Sequence, residues 1–311
     1  MSNARKNADV AHIVGRKNLI INGDFKVSQR GDFTTASAAV DGAYYLDRWT
    51  VVFDTVGVTK QDTGNAMKVV ATSSGTGSLR IRHKFEDTTY LSSKTVTISC
   101  QMKSNSSNAR INVYADGWQS ATSTHTGGGA WESVSLTLTL PAGVSSELSA
   151  HFGIDGVSSA NVSVTSGDYC EVKECQLELG SVATDFEYRS YGEELALCQR
   201  YYYKTWGFGI ASSSIAKVPL INYHSYAKGG NQWEHKGAAA PVTLRANPTV
   251  RVSDQLGAIG KINHFTSTGG GSTAGHTPYS SYGHTGGMSV SDYQNGSIYG
   301  FSCQYELEAE L

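Results

Sequence analysis

The segment Val134-Ser135-Leu136-Thr137-Leu138-Thr139-Leu140 alternates apolar and polar residues without a break and is stopped by Pro141. Strict alternation places every second side chain on one face, so the segment fits a strand with one buried face and cannot form an amphipathic helix. The pattern recurs. Leu79 to Phe85 and Arg110 to Tyr114 alternate in the same way, and Arg48 to Phe53 is a β-branched and aromatic run. Met67 to Ala71, Thr95 to Met102, Leu148 to Ile154, Asn161 to Val164 and Tyr169 to Leu179 also read as strands, and Asn18 to Ile21 reads as an apolar entry strand ended by Asn22-Gly23. Runs of this length separated by Gly, Ser and Asn turns, with no helical pattern between them, predict an antiparallel β-sandwich of about eight to ten strands, of the jelly-roll kind, over 18–190.

Two further regions follow. In Gly192 to Tyr203 the acids come early and Arg200 late, as suits a helix dipole, and Leu195, Cys198 and Tyr202 share a stripe. This predicts a short helical connector over 191–205. Residues 206–311 carry strand-like pieces at 215–220, 242–245, 249–252, 260–262 and 297–309 around a Gly-, Ser-, Thr-, His- and Tyr-rich stretch, 265–288, whose apolar content suits a loop. About 100 residues with so little aliphatic matter struggle to stand alone, and oligomerisation is the usual remedy. The fold class expected is therefore mainly β: a jelly-roll sandwich, a short helix and a second β-rich C-terminal domain that oligomerises. Residues 1–17 are polar and mildly basic and read as an arm that a partner orders.

Composition excludes several function classes. The net charge of −2 comes without a basic stripe, so no phosphate-neutralising face for nucleic acid and no polybasic membrane patch is visible. No run of 18 apolar residues occurs, so no membrane insertion is expected, and no secretory apolar core is found near the N-terminus. Five cysteines, at 100, 170, 175, 198 and 303, cannot close an intrachain disulfide framework. They read as buried thiols made in a reducing cytoplasm, with Cys170 and Cys175 on opposite faces if one regular strand carries both. Nucleophile-elbow, zinc-helix and phosphate-loop patterns are missing, and Asp47, Asp116 and Asp155 read as turn residues, so no catalytic residue is expected. What remains is recognition. Tyr114, Trp118 and Trp131 flank a polar loop, and Trp233, Tyr279 and Tyr282 lie in the second region; sugars stack on such rings while amides and hydroxyls meet their polar edges. The nearly palindromic Gly275 to Thr285 would bring His276 and His284 face to face if it were a hairpin tip, where they would contact a partner or, less simply, gather as a metal site about a three-fold axis.

The residues also carry a resemblance. Asn18-Leu19-Ile20-Ile21-Asn22-Gly23-Asp24-Phe25, Gln29-Arg30-Gly31 and Tyr45-Leu46-Asp47-Arg48-Trp49 resemble the opening of a β-sandwich module of tailed-phage fibre and minor virion structural proteins. Gln176 to Arg189 is similar to the end of that module, Gly192 to Tyr202 to its connector, and Pro241 to Val250 to a further piece. Met1-Ser2-Asn3-Ala4-Arg5 looks like the leader of such chains. The resemblance implies a trimeric tail fibre that binds a host-surface glycan or protein, assembled in the host cytoplasm and exposed on the virion. Its N-terminal arm, with Asn3, Arg5, Val10 and Ile13, would attach to other virion proteins. The alternatives are a capsid or neck decoration protein and, further off, a polysaccharide depolymerase. The sandwich is similar in outline to jelly-roll carbohydrate-binding modules, which implies a structural Ca²⁺ with Asp24 and Glu178 as candidate ligands; no other cofactor is implied.

Overall fold

The computed structural model describes residues 16–206 except 87, 121 and 157–160, residues 240–253, 259–260 and 305–311, and the backbone alone of the strands named below in the rest of 207–304. It is mainly β, with antiparallel sheets and, among the described residues, one short α-helix. In chain order the strands of the first half are β1 (Ser37–Ala38), β2 (Trp49–Asp54), β3 (Val58–Asp62), β4 (Met67–Ala71), β5 (Gly75–Lys84), β6 (Thr95–Ser104), β7 (Ala109–Ala115), β8 (Trp118–Gln119), β9 (Ser123–Thr124), β10 (Trp131–Thr139), β11 (Leu148–Ile154), β12 (Val162–Val164) and β13 (Tyr169–Leu179). The helix is α1 (Tyr191–Gln199). After it come β14 (Tyr202–Lys204), β15 (Ile221–Tyr223), β16 (Tyr226–Ala227), β17 (Gln232–Lys236), β18 (Thr249–Ser253), β19 (Ile262–Thr266), β20 (Thr273–His276), β21 (Tyr279–Gly283), β22 (Gly287–Tyr293) and β23 (Ile298–Glu308).

By contact the chain divides into two compact units. The first comprises 1–26, 33–191 and 311, the second 27–32 and 192–310. In the first, a sheet ordered β1-β3-β4-β13-β6-β10 packs on a sheet ordered β12-β5-β11-β7-β8, with β2 also on β5 and β9 on β7. The predicted alternation explains the packing. Val134 and Leu136 of β10, Val96, Ile98 and Met102 of β6, and Leu79, Ile81, Ile111, Val113, Ala150 and Phe152 of the facing sheet meet in one buried core. Trp49 sits fully buried in it, 4.7 Å from the Phe25 ring and 5.8 Å from Phe152 by centroid. Its indole N–H donates to the Asn22 carbonyl (2.8 Å), so the one polar atom of the largest core side chain is satisfied.

β13 departs from the regular strand the sequence suggests. Its register on β6 shifts between Lys173 and Gln176, with Glu174 at φ 53°. This bulge inserts one residue, so Cys170 and Cys175 both face the core, fully buried, instead of lying on opposite faces. Burial pushes both thiols well above the ordinary cysteine range. The entry segment Asn18–Ile21 is a second correction: it is not a strand. Asn18 acts through its side chain, accepting from the Ile20 and Leu177 amides (2.9 and 3.2 Å) and donating to the Cys175 carbonyl (3.1 Å), while the Leu19 amide reaches the Leu177 carbonyl (2.8 Å). The chain then turns at 21–24. A Cβ on Gly23 would stand 2.2 Å from the Cys175 carbonyl oxygen, so this turn can close on β13 only without one.

The second unit corrects several expectations. The helix ends at Gln199; its buried residues are Glu194 and Cys198, and Tyr202 begins a strand because its amide and carbonyl pair with β23. Residues 242–245 form no strand, although Leu244 joins the small core of Val252, Tyr305, Leu307 and Ala309. The stretch read as a loop at 265–288 holds the end of β19, β20, β21 and the start of β22, because Thr and Tyr suit strands and a ladder needs backbone partners before apolar side chains. Residues 27–32, which the sequence placed inside the sandwich, belong here. The Gln29 amide donates to the Tyr202 carbonyl (2.9 Å), and Arg30 pairs with Glu308 and Glu310 (3.1 Å each) with its guanidinium 4.0 Å from the Tyr202 ring centroid. The strand-like piece at 215–220 lies outside the described residues.

Replacing Trp49 by Ala is expected to destabilise the first unit by about 3–5 kcal/mol, measured by denaturant unfolding. In the native protein Cys170 and Cys175 are expected to react with a thiol reagent only at the rate of unfolding.

Candidate functional site

The outer face of the β5–β11–β7 sheet carries the densest polar network of the first unit. Register fixes its rows. Arg80 lies beside Gly153 and Gly153 beside Arg110; Arg82, His151 and Asn112 form the next row, and Lys84, Ser149 and Tyr114 the one after. Gly153 lays no side chain between the two arginines, and a Cβ there would meet the Leu79 carbonyl oxygen at 2.2 Å. Across this gap Arg80 reaches Asp155 (3.4 Å) and the Tyr114 hydroxyl (3.2 Å), and on its other side, toward β2, Asp54 (3.1 Å). Asp155 accepts from the Asn112 amide (2.7 Å) and the Tyr114 hydroxyl (3.3 Å) on one oxygen and from the Gly156 amide (2.9 Å) on the other. The Tyr114 ring stands 4.2 Å from that of His151, whose Nε2 pairs with the Ser149 hydroxyl (3.0 Å).

Three atoms of this face are buried with no hydrogen-bond partner among the described residues: Arg80 Nε, Asn112 Oδ1 and His151 Nδ1. These atoms lie beneath the face, and leaving them unpaired costs about 1–3 kcal/mol each. His151 is held well below the usual histidine range, first by burial and then by Arg80, Arg82 and Lys84. It is therefore neutral at pH 7. What the face itself presents is the half-buried Tyr114 ring with Arg80, Arg82 and Lys84, each also half-buried, and Arg82 and Lys84 form no salt bridge among the described residues. The two carboxylates present, Asp54 and Asp155, are both held by Arg80.

Of the residues singled out from the sequence, Tyr114 is at the centre of this network. Trp118 is not: it pairs with Ala115, so the pleat turns it toward the core, where it packs half-buried. Trp131 lies on the other sheet. Asp116 is the turn residue expected, its carboxyl drawn down to about 2 by the Ser146 hydroxyl and the amides of Ser145, Glu147 and Ser146. Asp155 is more than a turn residue, and with Arg80, Asn112 and His151 it was missed. The signal was present in a histidine and an asparagine at the outward positions of otherwise apolar strands. Trp233 lies on β17, Tyr279 and Tyr282 on β21, whose partner is β22. His276 lies on β20 opposite Ile262, and β21 pairs with β22, so β20 and β21 do not form one hairpin with each other. His284 and Asn3, Arg5, Val10 and Ile13 lie outside the described residues.

The carboxylates considered for Ca²⁺ do not fit that ion. Asp24 pairs with Lys26 (2.5 Å), and both oxygens of Glu178 are taken by Thr184, one by its amide (2.8 Å) and one by its hydroxyl (2.7 Å). Among the described residues no group of three or more His, Cys, Asp or Glu is placed to hold a metal, where Ca²⁺ asks for 6–8 oxygens.

No family model matches the sequence, and no curated protein matches it. Solved structures do resemble the chain over about half its length. A carbohydrate-binding module of the CBM4 type has 16% identity and a TM-score of 0.33, covering 51% of this chain and 98% of its own. The family 11 carbohydrate-binding module of a Clostridium thermocellum cellulosomal cellulase has 13% identity and a TM-score of 0.29, covering 50% of this chain and 99% of its own. The enzymatically active domain of tailspike protein 4 of bacteriophage CBA120 has 12% identity and a TM-score of 0.33, covering 52% of this chain and 21% of its own.

His151 and His83 are both buried and held well below the usual range. A histidine with a depressed folded pKa leaves the unfolded chain to bind the extra proton. Stability is then complete above about pH 6.5 and falls as the pH drops below it, by at most about 1.4 kcal/mol per pH unit for each histidine. His151→Gln is expected to flatten the fall in Tm between pH 7 and 5 in part, read by thermal unfolding at a series of pH values.

Proposed function

We propose that this chain is a non-catalytic, glycan-recognising structural protein of a tailed-phage virion, a homotrimeric tail fibre. The observation that carries the recognition reading is the half-buried Tyr114 ring on one sheet face with Arg80, Arg82 and Lys84. A pyranose lays its apolar face on such a ring, and its hydroxyls, which both donate and accept, suit the guanidinium and ammonium donors of the same face. The Arg80–Arg82–Lys84 row favours sugars bearing a carboxylate. Because Arg80 holds both Asp54 and Asp155, the face is built for holding a ligand more than for acid–base work. The virion reading is supported by the sequence resemblance of 18–25, 29–31, 45–49, 176–189, 192–202 and 241–250. In that setting many weak sites on one particle give firm adsorption through avidity, with residues 1–17 as the attachment arm and the C-terminal β region holding three chains together.

Purified full-length protein is expected to bind an acidic bacterial surface polysaccharide in a pull-down, and Tyr114→Ala to weaken that binding about 10-fold or more with little change in Tm. Equal binding by the variant would sink the assignment of this face. Deleting residues 1–17 is expected to leave a folded trimer in sedimentation that no longer enters the particle.

A further inference from the structure

The opposite sheet carries a second opening that the first site does not use. On the outer face of β6 and β10, cross-strand pairs line up as Thr95–Thr139, Thr97–Thr137, Ser99–Ser135, Gln101–Ser133 and Lys103–Trp131. The two threonine pairs meet hydroxyl to hydroxyl at 3.2 and 2.9 Å, and the Gln101 amide donates to the Ser133 hydroxyl at 2.7 Å. Above the middle of this ladder runs the segment 183–186, and between the two lies a cleft of about 290 Å³. Its second wall is fixed in place. Glu178 holds Thr184, the Gln176 carbonyl oxygen accepts from the Glu187 amide (2.9 Å), and the Lys17 ammonium donates to the Asp185 carbonyl (2.7 Å).

The lining has a definite chemistry. Ser99, Ser133, Ser135 and Thr184 supply hydroxyls, Gln101 an amide, and Glu174 and Asp185 carboxylates; no lysine or arginine lines the cleft. Glu174 already accepts the Tyr188 hydroxyl (2.7 Å), whereas Asp185 is exposed. Lys17 spends its ammonium on the Asp185 backbone carbonyl, and Lys173 and Lys103 set theirs 4.7 and 6.0 Å from the Trp131 ring centroid. Trp131 shares the outer face with Ser133, two positions along β10, and is 37% exposed, an unusual state for a residue this apolar. A π surface that already attracts two ammoniums thus borders a cleft of hydroxyls and carboxylates. The volume is at the small end of ligand pockets, about 300–1,000 Å³, and suits one or two sugar units.

We propose that this cleft is a second glycan site, of opposite charge preference to the first, that takes a sugar unit carrying a free ammonium. Asp185 and Glu174 face the ammonium, the serine and glutamine ladder meets the ring hydroxyls, and Trp131 covers the next unit of the chain. The proposal uses no residue of the Tyr114 face. Titration calorimetry of the full chain with a glucosamine trimer at pH 6 is expected to show binding. Asp185→Asn is expected to weaken it about 5-fold, the order of one exposed ion pair, and Ser133→Trp, which fills the cleft from an exposed position, to abolish it at unchanged Tm. Tyr114→Ala is expected to leave it as it was, so that failure of the first site and failure of this one are told apart. Absence of binding, equal binding of a galacturonate trimer at the same place, or binding that survives both Ser133→Trp and Asp185→Asn would overturn the proposal.

Discussion

The sandwich depends on what β13 does at its bulge. A regular strand of that sequence would send Cys175 and Leu177 to solvent and Gln176 and Glu178 into the core, because a one-residue slip reverses every later side chain. The inserted residue at Glu174, held at positive φ, prevents this. Three consequences follow from one backbone irregularity. Cys170, Val172, Cys175 and Leu177 all reach the core. The Cys175 amide and carbonyl are freed from the ladder to receive Gly23 and Asn18, which seats the entry segment. Gln176 and Glu178 turn outward to hold 184–187, which makes the wall of the second cleft.

The two outer faces of the sandwich are built from the same alternation and differ in what the outward positions carry. On one sheet they hold Arg80, Arg82, Lys84, Asn112, Tyr114 and His151, long or ring-bearing groups that lean on one another and become buried. On the other they hold threonine, serine and glutamine, short groups that pair across strands and leave room above them. The first face is therefore a dense polar floor with unpaired atoms, and the second an open trough. Gly153 matters to this contrast: it places no side chain between Arg80 and Arg110, on the side where Arg80 reaches Tyr114 and Asp155.

How far the sequence reveals this varies with the kind of information. Strands such as β5, β7, β10 and β11 are legible because a half-buried strand must alternate, and their observed limits lie within a few residues of those read from the pattern. The bulge at Glu174 is not legible, since nothing local distinguishes an inserted residue from a shifted turn. Nor is the role of Asn18, whose side chain substitutes for strand pairing with a segment more than 150 residues away. Tyr114 could be singled out as an aromatic beside a polar loop, but Trp118 could not be separated from it without knowing that a two-residue strand continues the sheet and reverses the face. Arg80, Asn112 and the pair His151 and Asp155 come from three separate segments, and only the register of β5, β11 and β7 brings them together. The β20 and β21 region was read as loop because the reading weighed apolar content, whereas an antiparallel ladder needs backbone partners first.

The second unit contains residues from both ends of a long stretch of chain: Gln29 and Arg30 meet Tyr202, Glu308 and Glu310. Contacts of such sequence separation are closed last, because the intervening chain must first lose most of its freedom. During synthesis the sandwich strands leave the ribosome long before Glu308 and Glu310 exist. Gln29 and Arg30 can therefore meet these partners only after the sandwich strands have been made.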